Sequence, residues 1–187
     1  MRIFWTETTG LDPARARRPG RRSTPESAFA WSLLEVAARE TWDVSLPEAA
    51  ALPGGKPFFP AYPSLHVSLS HTRGVVLAAL SEHPVGADAE RRRPLRAATA
   101  ERLFAADHGD LELFELWTLR ESWFKLTGAG DLRDIPFSRV DGILSPPEPG
   151  ARCRVYAEIP GCAAAACSFA DDPPERLQFI DPARICT

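Results

Sequence analysis

Three carboxylates, Asp88, Glu90 and Glu121, stand in segments whose spacing could bring them to one site. In the segment 85–90 apolar residues alternate with Gly, Asp and Glu, so a strand there would place Asp88 and Glu90 on one face. Further along, helical spacing places Glu121 in an apolar stripe, with Lys125 one turn later on the same face. Mg²⁺ prefers carboxylate oxygens and usually keeps waters and phosphate oxygens in its other positions. The pattern therefore predicts a magnesium site.

Each of these carboxylates also has a simpler interpretation. Asp88 and Glu90 could lie on the solvated face of a strand. Glu121 could form an ion pair with Lys125, which stabilises an exposed helix by only about 0.2–0.5 kcal/mol. The apolar stripe argues against simple solvation of Glu121, because a buried charge needs a partner. The sequence leaves open whether Glu121 is a third metal ligand, a general base, or both.

The hydrophobic pattern predicts the elements that position these residues. Thr24 can cap a helix and Pro25 suits its first turn, so we expect a helix from Thr24 to about Trp42. Two further helices are expected over 95–104 and 110–127, the second ended by Gly128. Strands are expected over 2–6, 65–70, 75–80, 85–90, 137–144, 152–159, 167–169 and 177–180. Residues 43–63 are expected to be mostly irregular, and the whole pattern predicts an α+β fold.

The composition limits the class of protein to which the chain can belong. With 187 residues, 44% of them hydrophobic, and a net charge of −3, it suits a globular protein better than a basic nucleic-acid binder. No apolar stretch is long enough to span a membrane, and Glu7 stands where a secretory signal would be apolar. We therefore expect a cytoplasmic protein that binds neither nucleic acid nor membranes.

Arginines and cysteines are distributed unevenly. The arginines form two groups, which suits a small polyanion or an acidic protein partner. They are Arg15, Arg17, Arg18, Arg21 and Arg22 near the N-terminus, and Arg91, Arg92, Arg93 and Arg96 after the acidic segment. The cysteines lack a Cys-x-x-Cys pair, so we expect free thiols in a reducing compartment rather than a zinc site. They are Cys153, Cys162, Cys167 and Cys186.

Four motifs occur in an order that resembles one protein family. They are Gly54-Gly55-Lys56-Pro57, Ser68-Leu69-Ser70-His71-Thr72, Gly86-Ala87-Asp88-Ala89-Glu90 and Trp117-Thr118-Leu119-Arg120-Glu121-Ser122-Trp123-Phe124-Lys125. Together they resemble the 4′-phosphopantetheinyl transferases of the surfactin-synthetase-activating type, over about residues 54–140. Four motifs in family order are more specific than any one of them.

The resemblance implies a fold and a reaction. The implied fold is α+β, with two similar α/β halves in a pseudo-dimeric arrangement, antiparallel strands packed on helices, and a ligand cleft between the halves. Residues 1–84 would form the N-terminal half, which binds the phosphates of coenzyme A. Residues 85–187 would form the C-terminal half, with the metal site and the catalytic helix. The implied enzyme needs Mg²⁺ and transfers 4′-phosphopantetheine from coenzyme A to a serine of an acyl or peptidyl carrier protein. Adenosine 3′,5′-bisphosphate is released, and a monomer would suffice.

The resemblance also implies roles for individual residues. Asp88, Glu90 and Glu121 correspond to metal ligands, whereas Glu121 and Lys125 correspond to catalytic residues. The residues implied to bind coenzyme A are Lys56, Ser70, His71, Arg93 and Lys125. Among them, Lys56 would approach the 3′-phosphate.

Three departures from the family pattern bear on these roles. Arg120 stands where the family usually has lysine. The arginine that the family usually carries at the start of the first long helix is missing from residues 26–31. Asp107 matches a family acidic residue only approximately. Two alternatives therefore stay open: a non-catalytic module that binds coenzyme A or a carrier protein, and another Mg²⁺-dependent phosphotransferase. The chain has no Gly-x-x-x-x-Gly-Lys-Ser/Thr loop, which counts against a P-loop enzyme.

Overall fold

The structure, a computed structural model, describes residues 1–16, 24–52, 55–103 and 108–186. In these ranges the helices are α1 (Pro25–Trp42), α2 (Ala97–Leu103) and α3 (Leu113–Thr127). The strands are β1 (Arg2–Glu7), β2 (Ala50–Ala51), β3 (Pro57–Phe58), β4 (His66–Thr72), β5 (Val75–Ser81), β6 (Val85–Arg91), β7 (Ser138–Val140), β8 (Ile143–Ser145), β9 (Arg152–Tyr156), β10 (Cys162–Ser168) and β11 (Gln178–Phe179). This confirms the predicted mixture of helices and antiparallel strands. Arg17, Arg18, Arg21, Arg22, Gly54 and Asp107, which the sequence analysis singled out, lie outside the described residues.

The first sheet has four strands in the order β11-β1-β5-β4 and carries α1 on one face. The predicted hairpin is confirmed, because β4 and β5 are antiparallel neighbours. Helix α1 begins and ends as predicted: the Thr24 side chain accepts a hydrogen bond from the Ser27 amide, and Pro25 opens the first turn. Leu33 and Leu34 of α1 are fully buried against this sheet.

The second sheet is antiparallel, has the order β6-β10-β9 and carries α3. Its central strand runs from Cys162 to Ser168, so the expectation of a strand over 167–169 was wrong about its start. The run of alanines hides the strand, because alanine favours helices and is depleted in strands. All seven residues of β10 are buried, and their small side chains leave room for α3 to pack closely.

Three clusters of buried residues define the order of the layers. One cluster lies between α1 and the first sheet, one joins the two sheets, and one lies between the second sheet and α3. In the middle cluster Ile3 and Leu77 of the first sheet pack with Val85 and Ala164 of the second. The layers therefore follow the order helix, sheet, sheet, helix.

The last described residues return to the first sheet, although they follow the second in sequence. Strand β11 pairs in parallel with β1, and Ile180 and Ile185 belong to the cluster that α1 covers. The Arg184 guanidinium forms an ion pair with Glu40 of α1 at 2.6 Å. This C-terminal return completes the first sheet and its core.

Two smaller expectations need correction. Residues 137–144 form the hairpin β7–β8 rather than one strand, because Asp141 and Gly142 both adopt positive φ, as a two-residue hairpin turn requires. Helix α3 begins at Leu113 rather than at residue 110; the Glu115 carboxylate accepts a hydrogen bond from the Glu112 amide at this end. The four cysteines carry free thiols in this structure. Among the helices that the structure describes, none is long and apolar enough to cross a membrane.

Candidate active site

Strand β6 presents Asp88 to α3. Val85, Ala87 and Ala89 are buried in the cluster between the two sheets. Asp88 points to the other face and is only 5% exposed. The predicted alternation is therefore confirmed, whereas the alternative of a solvated face does not hold for Asp88.

The two oxygens of the Asp88 carboxylate have different surroundings. Oδ1 accepts hydrogen bonds from Ser70 Oγ and from Lys125 Nζ, each at 2.6 Å. Oδ2 is buried, and no group in the described part of the chain donates a hydrogen bond to it. Because an unpaired buried oxygen is costly, few such atoms occur in proteins, and each is a candidate contact for a ligand.

Gly86 allows α3 to lie directly on β6. A Cβ atom at this position would stand 1.8 Å from the Ser122 carbonyl oxygen and 2.6 Å from the Leu126 nitrogen, both main-chain atoms of α3. The strand and the helix therefore touch through their backbones, which brings Lys125 within reach of Asp88. Sequence reasoning gave Gly86 no role, although a glycine inside a strand often marks a close approach of another backbone.

Glu121 projects from α3 toward the same carboxylates. In the part of the chain that the structure describes, no group forms a hydrogen bond or ion pair with its side chain, and Lys125 pairs with Asp88 instead. The pKa of Glu121 is raised by burial and then by the charges of Asp88 and Glu90, with Lys125 acting in the opposite direction. The simpler interpretation of Glu121 as the ion-pair partner of Lys125 is therefore not what the structure has.

Glu90 lies at the outer end of the site. Its Oε2 accepts hydrogen bonds from Thr72 Oγ1 and from an Arg93 Nη1, each at 3.2 Å. The Arg93 guanidinium lies 5.8 Å from the centre of the Phe114 ring. Among the described residues no group of three or more His, Cys, Asp or Glu side chains is arranged to hold a metal ion. The three-carboxylate magnesium site stays a prediction.

Hydroxyl groups of β4 form hydrogen bonds with main-chain groups at the edge of β6 that faces away from β10. Ser68 Oγ accepts from the Ala87 amide at 2.9 Å, Ser70 Oγ accepts from the Ala89 amide at 3.2 Å, and Thr72 Oγ1 accepts from the Arg91 amide at 3.2 Å. No main-chain pairing joins β4 to β6 among the described strands. Ser70 therefore fixes both the strand and the Asp88 carboxylate, whereas its predicted contact with a phosphate stays a prediction.

Lys56 reaches the site from the loop that precedes β3. Its Nζ donates to the Val85 carbonyl at 2.8 Å and to the Lys125 carbonyl at 2.7 Å. Burial and the nearby charge of Lys125 lower the pKa of Lys56 to about 8. The ammonium thus contacts main-chain atoms of both β6 and α3.

A cavity of about 650 Å³ opens beside these residues. It is lined by α1, the segment before β4, β4 itself and the end of α3, and its walls include Trp31, Lys56, Phe58, His71 and Lys125. His71 is exposed, on the opposite side of β4 from Ser70. The volume is within the range of 300–1,000 Å³ that is typical of small-molecule sites.

Arg120 does not face this cavity. It is buried, and its Nε donates to the Ile135 carbonyl at 2.9 Å, which ties α3 to the segment that follows the helix. Burial lowers the pKa of Arg120, with Asp134 acting in the opposite direction. The arginine at this family lysine position therefore has a structural contact in this chain.

No family model matches the chain. Individual curated proteins nevertheless match it in sequence. The chain is 30% identical over 145 residues to the 4′-phosphopantetheinyl transferase ffp of Bacillus subtilis, a match that covers 67% of this chain and 65% of the relative. It is 40% identical over 87 residues to the 4′-phosphopantetheinyl transferase psf-1 of Bacillus pumilus, which covers 41% of this chain and 37% of the relative. It is 28% identical over 145 residues to the 4′-phosphopantetheinyl transferase Sfp of Bacillus subtilis strain 168, with coverages of 67% and 65%. The chain thus spans slightly less than two thirds of the length of ffp and Sfp.

Proposed function

We propose that this chain, which is homologous to the 4′-phosphopantetheinyl transferases of the surfactin-synthetase-activating type, transfers 4′-phosphopantetheine from coenzyme A to a serine of an acyl or peptidyl carrier protein. The observation that carries the proposal is the buried, unpartnered Oδ2 of Asp88, next to the Lys125 ammonium and close to Glu121. A carboxylate that can bind a metal ion, a lysine ammonium and a second carboxylate that can act as a base are parts that recur in phosphoryl-transfer sites.

The oxygen donors of these carboxylates suit the metal that the homology implies, although the described side chains as they stand form no group arranged to hold a metal ion. Asp88, Glu90 and Glu121 would hold Mg²⁺, since their oxygens suit this ion and Asp88 Oδ2 lacks another partner. Burial and then the charges of Asp88 and Glu90 raise the pKa of Glu121, and a bound cation would act against this shift. When bound, Mg²⁺ would neutralise charge on the pyrophosphate of coenzyme A.

The protein's own residues would do the rest of the chemistry. The serine oxygen of the carrier attacks the phosphorus that bears the pantetheine group, and the bond from that phosphorus to the bridging oxygen breaks. The electron pair of that bond stays on the oxygen of the departing adenosine 3′,5′-bisphosphate. Glu121 takes the serine proton directly or through a water, and its raised pKa suits a general base. Lys125 stabilises the charge on the leaving group.

Coenzyme A would occupy the cavity of about 650 Å³, because Lys56, His71 and Lys125 all line it. In this proposal Arg93 and Ser70 complete the phosphate contacts, although Ser70 Oγ is already bonded to Asp88. The cavity would form the cleft between two similar halves, 1–84 and 85–187. Each proposed half has one helix packed on one sheet, which supports this division. The C-terminal return crosses it, because β11 follows the second sheet in sequence but pairs with β1 of the first.

We further infer that the chain acts as a monomer, because one chain would supply both halves of the cleft. Free thiols favour the reducing cytoplasm as its location. A net charge of −3 counts against nucleic acid as a partner. The local groups of arginines would instead bind an acidic carrier protein.

Mass spectrometry tests the proposal. An apo carrier protein incubated with the chain, coenzyme A and Mg²⁺ should gain the mass of one phosphopantetheine group, and chelation of Mg²⁺ should prevent the gain. A chain that binds coenzyme A or the carrier protein without any gain in mass would be the non-catalytic module, and a gain of a phosphate alone would indicate another phosphotransferase.

A further inference from the structure

Lys56 is the first of four side chains that satisfy the open edge of β6. The other three are hydroxyls of β4, whereas Lys56 comes from a separate loop and bonds to the Val85 carbonyl at the start of the strand. That loop is closed by a main-chain hydrogen bond from the Leu52 amide to the Lys56 carbonyl at 2.9 Å. The Lys56 ammonium thus approaches β6 from a segment outside both the first and the second sheet.

The second contact of Lys56 is with α3. The Lys125 carbonyl lies in the last turn of this helix, where carbonyls lack the partners that the helix interior supplies. A cation at this end also interacts favourably with the helix dipole. One ammonium therefore holds the start of β6 and the end of α3 together.

These two elements carry the residues of the candidate site. Asp88 lies three residues after Val85, and the side chain that Asp88 binds belongs to Lys125. The contact through Gly86 sets how closely the backbones of β6 and α3 approach at the start of the strand. Lys56 supplies a second point near the helix end.

We propose that Lys56 is a positioning residue, which fixes β6 against the end of α3 at the spacing where the Lys125 ammonium meets Asp88. The inference rests on the proposed function, since it concerns the same site. Two of the three N–H donors of Lys56 are taken by main-chain carbonyls, so its first role is within the protein. The charged or titratable side chains that influence it or are influenced by it are Lys125 and His66.

Hydrogen exchange in the protein without coenzyme A, metal or carrier tests this role apart from any activity. Lys56→Met keeps the length of the side chain but removes the charged donor that bonds to the Lys125 carbonyl at the end of α3. The end of the helix should then open more often, so the Gly128 amide, which bonds to the Phe124 carbonyl, should exchange about tenfold faster or more. Amides of α1, such as that of Asp43, should be unchanged. Lys56→Arg, which keeps the charge and two donors, should retain the protection. Unchanged exchange in Lys56→Met, or its loss in Lys56→Arg, would overturn the inference.

Kinetics supply the readout that a purely structural role would not move. If the wild-type chain transfers phosphopantetheine, Lys56→Met should lower kcat about tenfold or more, because misplaced reacting groups slow the chemistry, whatever the loss of a phosphate contact does to KM for coenzyme A. A raised KM with unchanged kcat would instead mean that Lys56 only holds the coenzyme A phosphates. If the wild-type chain transfers nothing, the proposed function fails, whereas the exchange experiment still decides the role of Lys56.

Discussion

Replacing Gly86 by alanine tests the backbone contact on which the site geometry depends. The added Cβ would lie 1.8 Å from the Ser122 carbonyl oxygen, although real Cβ contacts essentially never fall below 3.0 Å. Helix α3 would therefore have to withdraw by about 1.2 Å at this point, and the three blocking atoms, in Ser122 and Leu126, are main-chain atoms that no rotamer change can move. We expect a loss of about 3 kcal/mol of stability, the upper end of the usual cost of overpacking. For a chain of this size that corresponds to a fall in Tm of about 6–12 °C.

The backbone contact and the absence of such a contact predict changes in stability of opposite sign for Gly86→Ala. Gly86 is not among the residues with positive φ, so without the contact alanine would stabilise the chain by about 0.4–1 kcal/mol through the unfolded state. Gly10→Ala is the matched control, because Gly10 has φ of 81° but nothing within 4 Å of an added Cβ. It should lose only the conformational cost, about 1 kcal/mol. Thermal and urea denaturation of both variants would measure the difference. A Gly86→Ala variant as stable as the wild type would refute the close approach.

Two further predictions concern the carboxylates. In the metal-free protein Glu121→Gln should be at least as stable as the wild type at pH 7, because the pKa of Glu121 is higher in the folded chain than its ordinary value of 4.5, so ionised Glu121 destabilises the fold above that pH. Denaturation across the pH range should show that this difference in stability vanishes below pH 4.5. The variant should also modify the carrier protein at least about a hundredfold more slowly. Lower stability with intact transfer would contradict both the destabilising effect of ionised Glu121 and its role as a base. Asp88→Asn should reduce transfer by about a hundredfold and cost about 2 kcal/mol, because it leaves the half-buried Lys125 ammonium without its carboxylate. Asp131→Asn, which breaks an exposed ion pair with Arg133, is the control and should change neither rate nor stability.

Local signals explain what the sequence analysis predicted correctly. The cap at Thr24, the proline after it and the glycine at residue 128 act within a few residues, so both long helices were found with small errors in their bounds. The alternation around Asp88 also depends only on neighbours in the chain, and its prediction is confirmed.

The features that were missed depend on contacts between distant segments. β10 is a strand because β6 and β9 flank it and α3 covers it, although its alanines favour helix when considered alone. The two bonds of Lys56 join residues 29 and 69 positions away. No local pattern encodes such a pairing, and only a glycine inside β6 hinted at the close helix.

The C-terminal return has a consequence for synthesis on the ribosome. Strands β1, β4 and β5 and helix α1 are complete once residue 81 has been made, but β11 and the apolar residues of 180–185 come about a hundred residues later. At about 5–20 residues per second, the edge of β1 that β11 will cover stays open for roughly 5–20 s. During that interval the nascent chain exposes an unpaired strand edge, which is a site where chaperones or neighbouring nascent chains can bind.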